Sequence, residues 1–274
     1  MSRRAMSRCA LSQRALSPRA ARPVALLIAL GAVAYTAWVL EVVVATGLNP
    51  VQTYVSELAA ADQPLGGLFR ATDLAAGLLV LAGALPALWS GERSRRTVWE
   101  VVGWSGLALF GAATAVDSRL PLSCTPTADP VCAARETAGL VPATHTAHAV
   151  SSALAMTGAL VGVVALTVAA RRCARPSPLA RVGPALVALE LAATVWTLAA
   201  VAAFEAGRGT WALGAGQRLQ VLLVAGWLGV LALTVVRERA VRERTAVRER
   251  AAVREQTAVH ERKAPVHERK DSRG

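Results

Sequence analysis

The stretch Pro142–Arg175, PATHTAHAVSSALAMTGALVGVVALTVAARRCAR, decides the fold. From Pro142 to Ala170 it is almost wholly apolar, and it ends on Arg171, Arg172 and Arg175. About 20 such residues carry a helix across ~30 Å of hydrocarbon. Five more runs of this kind lie at Pro23–Ala45, Leu68–Ser90, Val98–Val116, Val182–Phe204 and Trp211–Val236. The arginines closing the quoted run belong to a chain-wide pattern. Six Arg and no acid precede the first run, Arg93, Arg95 and Arg96 follow the second, and Arg181 joins those after the fourth. The other gaps hold only Arg119, Arg135 and Arg208, set among acids. Basic loops stay in the cytoplasm. The expectation is an all-α polytopic membrane protein, with six transmembrane helices in one bundle and both termini cytoplasmic.

Composition agrees. A hydrophobic share of 54% suits a multi-pass membrane protein better than a soluble domain of 274 residues. The net charge of +12 sits at the ends: residues 1–22 carry +6, and residues 237–274 hold 12 basic and 7 acidic side chains. Such tails attract anionic lipid. Neither holds an aromatic residue to interleave with its charge, which argues against nucleic acid as a partner. Only two of the 30 basic residues are Lys, and Ala abounds, as a GC-rich bacterial genome would encode. The localisation expected is therefore a bacterial cytoplasmic membrane. The first run is too long for a signal peptide and lacks a small-x-small cleavage site, so it is expected to be retained as a span.

Three regions follow: a disordered basic tail over 1–22, a six-helix domain over 23–236, and a low-complexity tail over 237–274. In the last, Val-Arg-Glu-Arg units recur with valines at 236, 241, 247, 253, 259 and 266. That spacing builds no apolar stripe, so a solvated tail is expected, with the sixth span continuing outward for some turns at most. Asn49-Pro50 is a helix start signal, predicting a short surface helix over Pro50–Ala61. The third gap, Ser118–Val141, is predicted to be a turn-rich loop. Its Cys124 and Cys132 face an oxidising exterior and are expected to form a disulfide, whereas Cys9 and Cys173 are expected to be cytoplasmic thiols. Gly158 and Gly162, with Gly226 and Gly229, allow close helix approach, either within the bundle or between copies.

Charge within a span is costly and invites a functional reading. Glu190 lies deepest, ~14 Å from the inner end of the fifth span at 1.5 Å per residue. Arg218 enters the sixth span from outside, and Glu41 lies near the outer end of the first. Arg218 is within reach of Glu41 or Glu190. A structural ion pair, a Glu190 kept neutral by burial, and an ion-coupling site all stand open.

A second group gathers at the outer face: Ser56, Glu57, Arg70, Asp73, Asp117, His145 and His148, with Ser152 a turn deeper. Residues three apart on a helix are neighbours, which predicts that both imidazoles address one site. Two His and a carboxylate hold zinc with an open water position, and such a water attacks esters or amides. The candidate ligands are His145, His148 and Asp117, with Glu57 as base. Hydrogen bonds from the imidazoles to loop carbonyls are the plain alternative. No phosphate loop, dinucleotide fingerprint, nucleophile elbow or CxxC pair is present.

These outer-face residues resemble the membrane proteins grouped as domain of unknown function 998. The resemblance is carried by Asn49-Pro50 with Ser56-Glu57-Leu58, Leu68-Phe69-Arg70, and Asp117 followed by Cys124, Cys132, His145 and His148. It covers about residues 24–236 and implies about six spans but no activity. The leading expectation is a protein that binds a lipid headgroup or small solute at this cluster, with no cofactor assigned and enzymatic activity left open. Arg70 would meet an anionic group, and Asp73, Asp117 and the His pair would orient it. A zinc-dependent membrane hydrolase is the alternative, and a small secondary transporter using Glu190 the third option. Continuous spans without an internal repeat weigh against the last.

Overall fold

The structure, a computed structural model, describes residues 20–89, 97–173 and 177–263. The N-terminal segment with Cys9, the linker bearing Arg93, Arg95 and Arg96, and Arg175 lie outside these residues. Six helices are long and apolar enough to cross a membrane. They are α1 (Ala21–Tyr35, extended by a 3-10 turn over Ala37–Val42), α2 (Gly66–Trp89), α3 (Val98–Asp117), α5 (Ala143–Arg171), α6 (Pro178–Glu205) and α7 (Leu213–Lys263). A short α4 (Pro130–Thr137) stands in the third gap, and no strand occurs among the described residues.

Local sequence sets several of these ends. Thr97 and Glu100 form a reciprocal capping box on α3, satisfying backbone donors that a helix start leaves unpaired. Ser177 caps α6 by accepting from the Ala180 N–H at 3.1 Å.

Each helix packs on the next, α1 on α2, α2 on α3, α3 on α5, α5 on α6 and α6 on α7, and α7 returns to α1. The six spans thus close a ring, with the long loops at one end (the loop end) and the arginine-flanked ends at the other (the basic end). Close approach depends on glycine. A Cβ at Gly158 would lie 2.5 Å from the Phe110 backbone nitrogen, and one at Gly77 would lie 2.7 Å from the Gly111 oxygen. Gly158 and Gly162 therefore serve the α3–α5 contact inside the bundle. Gly226 and Gly229 meet nothing within 4 Å. Below the ring's midpoint, Ile28, Leu107, Leu166, Trp227, Leu228 and Leu231 are buried and fill the interior.

Three local expectations are corrected. The surface helix predicted over Pro50–Ala61 is only a capped turn at Asn49, an extended Tyr54 and a 3-10 turn over Val55–Ala59. The Val55 N–H goes to Gln217 Oε1 and the Thr53 carbonyl to Arg218, so α7 claims groups that a continuous helix would use. The third gap is not all turns, because Asp129 caps α4 through the Val131 N–H at 2.9 Å and Pro130 opens its first turn. The C-terminal repeat, expected to be solvated low-complexity chain, continues α7 as helix to Lys263. Ala, Arg and Glu all favour helix, and Arg239 pairs with Glu243 one turn on. Its valines at 241, 247 and 253 stay exposed.

Candidate functional site

A cavity of about 280 Å³ opens in the loop-end half of the ring. Every spanning helix contributes to its wall: Tyr35 from α1, Asp73 from α2, Thr114 and Asp117 from α3, Ser152 from α5, Thr194 and Thr197 from α6, and Gln217 and Gln220 from α7. Trp38 of the 3-10 turn and Ser56 of the first loop complete it, and no Arg, Lys or His lines it.

Asp117 is held in place by α5. Ser151 donates to its carboxylate at short range, Ser152 donates at 3.1 and 3.2 Å, and His148 Nδ1 stands 3.1 Å away. His148 Nδ1 also faces the Leu120 carbonyl at 3.0 Å. Both neighbours of that nitrogen are acceptors, so it carries the proton. Asp73 is different: it makes no hydrogen bond or ion pair among the described residues, although it lies within electrostatic range of Asp117 and His148.

Three further polar atoms on the cavity wall are buried without a partner: Trp38 Nε1, Thr114 Oγ1 and Thr197 Oγ1. Buried polar groups are nearly always hydrogen-bonded, and each exception asks for an explanation.

The remaining outer residues do other work. The Ser123 N–H donates to His145 Nδ1 at 3.0 Å, leaving Nε2 as the protonated nitrogen, 3.3 Å from Glu136. The two imidazoles therefore diverge, His145 into the loop and His148 to Asp117. Helical spacing puts them on one face, but their partners turn them apart. Glu57 is fully buried and accepts from the Thr127 N–H at 2.7 Å and from the Thr127 hydroxyl. Burial pushes its carboxyl above the usual range, against the pull of the Thr127 bonds. Glu57 thereby clasps the loop that Cys124 and Cys132 close, their Cα atoms 6.0 Å apart at disulfide distance.

Arg70 does not line the cavity. Its guanidinium donates to the carbonyls of Ala59 and Ala60, at 2.6 and 3.2 Å, where the end of the 3-10 turn leaves acceptors open. Among the described residues no group of three or more His, Cys, Asp or Glu side chains is placed to hold a metal ion. The set His145, His148, Asp117 and Glu57 is thus distributed over separate contacts.

Arg218 reaches Glu41 and not Glu190. Its Nε and Nη2 donate to the two Glu41 oxygens at 2.6 and 2.7 Å, and Nη1 donates to the carbonyls of Thr53 and Gly214. Glu190 is 1% exposed, and its carboxylate makes no hydrogen bond of full geometry, although the Gln220 and Thr194 side chains are close enough to interact with it. It sits one turn below Thr194.

Trp38, Thr114, Thr194, Thr197, Gln217 and Gln220 are wall residues that a search for charge passes over. A usable signal was present. Thr114/Asp117, Thr194/Thr197 and Gln217/Gln220 are polar pairs three apart, each in the loop-end half of its span, so each pair shares a helix face.

The family model described as "Protein of unknown function (DUF998)" matches residues 27–234. The chain belongs to that family. The DUF998 match reaches into all six spans, takes in the whole cavity wall and stops short of the helical tail. Comparison with curated proteins and with solved structures returns no match.

Proposed function

We propose that this DUF998 protein binds a small polar solute or a lipid headgroup in the loop-end cavity. One observation carries the reading: three orphaned polar atoms and the unpaired Asp73 all meet in a single space. Leaving such groups buried and unpaired costs about 1–3 kcal/mol each, and a polar ligand would offset that cost. The Arg asymmetry of the gaps puts the loop end on the extracytoplasmic side of a bacterial cytoplasmic membrane, and both tails inside against anionic lipid. Arg70 leaves the ligand set because it does not line the cavity, its Nη1 donating instead to the carbonyls of Ala59 and Ala60.

Thermal stability of the purified full chain, screened against polyols, amines, phosphates and zwitterionic headgroup compounds, tests the reading. At least one class should stabilise the wild type and lose its effect on Thr114→Val with Thr197→Val. If no class stabilises it and native mass spectrometry finds no bound small molecule, the reading fails. Orientation is checked in a background without native cysteines. A cysteine at Ala128 should react with impermeant maleimide in whole cells, and one at Ser94 should not.

The transporter reading keeps one supporting observation, the buried Glu190 one turn beneath the cavity wall, near the wall residues Gln220 and Thr194. Glu190→Gln should abolish solute movement while sparing binding if that reading holds. Equal movement by wild type and variant would exclude it.

A further inference from the structure

The wall chemistry narrows the ligand, on the reading that the cavity is a binding site. We propose that the ligand is a small organic ammonium compound, its cationic nitrogen seated at Asp73 between α2 and α3. Two carboxylates, Asp73 and Asp117, are the ionisable acids of the wall, and no basic side chain joins them there. The nearby cations stand outside the wall: Arg218 is bound by both oxygens of Glu41, and Arg70 turns its Nη1 to two loop carbonyls.

The two acids are not equivalent. Asp117 receives two serine hydroxyls and stands 3.1 Å from His148 Nδ1, so its oxygens are engaged by protein. Asp73 has none of these, and an unpaired carboxylate in a low-dielectric interior is the costlier state. A protonated amine supplies both the missing charge and the missing donors.

The rest of the wall suits such a guest. Tyr35 and Phe69 bring aromatic rings to the same space, beside a Trp38 whose ring already faces Arg218 at 6.0 Å, and ring faces attract ammonium groups. Thr114 and Thr197 are 6% and 7% exposed, more than nine-tenths buried, with hydroxyls that have no protein partner. They are placed to meet the hydroxyl or ester oxygen of an amino alcohol. About 280 Å³ lies below the ~300–1,000 Å³ of drug-sized pockets. The guest is therefore a free amine of a few heavy atoms, or an aminated lipid headgroup whose acyl chains stay outside.

The test uses the purified full chain with ethanolamine, choline, glycerol and glycerol 3-phosphate as probes. Ethanolamine should raise the melting temperature and bind in calorimetry, and glycerol and glycerol 3-phosphate should not. Asp73→Asn should weaken ethanolamine at least tenfold with little change in the unliganded melting temperature, because Asp73 has no hydrogen bond or ion pair among the described residues to lose. Thr197→Val, which keeps the acid, should weaken it a few-fold and guards against a misfolded Asp73 variant. Nanodiscs distinguish the source. Phosphatidylethanolamine retained in native mass spectra and displaced by ethanolamine marks a headgroup site, and ethanolamine binding without retained lipid marks a free solute.

Binding of glycerol or glycerol 3-phosphate but no amine would overturn the ammonium assignment and leave the cavity reading standing. Binding of no probe, with no small molecule carried through purification, would overturn both. Unchanged ethanolamine affinity in Asp73→Asn would overturn the seat at Asp73.

Discussion

The two halves of the ring treat the same residue types differently. Toward the basic end, Thr167 Oγ1 accepts from Trp227 Nε1 at 3.0 Å, and Thr234 Oγ1 accepts from the Leu179 N–H at 3.1 Å. Toward the loop end, Thr114 and Thr197 are almost as deeply buried, yet their hydroxyls meet no protein partner. One half uses threonine to join helices, and the other turns it toward a cavity. A buried hydroxyl is thus not informative by type or depth. What informs is whether the protein itself completes its hydrogen bonds.

Four measurements of folding stability bear on that contrast. The largest effect should come from Arg218→Gln, which leaves Glu41 buried and uncompensated at the loop end, a loss of about 3–5 kcal/mol. Adding Glu41→Gln should recover most of it in a denaturation series in detergent. Additive losses would mean that the pair is not coupled. Next is Gly158→Leu beneath the cavity, where the new side chain meets the Phe110 backbone and cannot be relieved by a rotamer change. It should cost about 3 kcal/mol by overpacking, and a variant as stable as wild type would show the α3–α5 crossing to be looser than described.

Reduction of Cys124–Cys132 should cost about 2–3 kcal/mol on the chain-entropy estimate, felt mainly in the third loop. Intact-mass analysis after alkylation should find two thiols before reduction and four after, and four at the outset would remove the bond. The smallest and sharpest test sets Thr167→Val against Thr197→Val. The first orphans Trp227 Nε1 and should lose about 1–3 kcal/mol, whereas the second removes an already unpaired hydroxyl and should be neutral or slightly stabilising. Equal losses in the two variants would erase the contrast.

The spans were legible because crossing a membrane sets a length and a hydropathy that local sequence must meet. What depends on distant neighbours was not legible. Asn49-Pro50 and Asp129-Pro130 carry the same start signal, but only the second opens a helix. After Asn49, α7 takes the Val55 N–H and the Thr53 carbonyl, a choice made some 160 residues away. The candidate site was partly readable for a similar reason. Ser56, Asp73, Asp117 and Ser152 stood out as polar residues gathered at the outer face, and they share the cavity wall. Spacing located His145 and His148 on one face but not their opposed partners, Ser123 and Leu120. Arg70 looked like an anion receptor because nothing local reveals the carbonyls at Ala59 and Ala60.

Closure of the ring has a consequence for synthesis. Of the six contacts that close the ring, five join consecutive spans, and only the seam between α1 and α7 joins its two ends. The clasp on that seam spans 177 residues, from Glu41 to Arg218. A ribosome delivering this protein therefore inserts Glu41 long before its partner exists, and the cavity has no complete wall until the last span enters. A chain interrupted before Leu213 would present an open arc with a stranded acid at its edge.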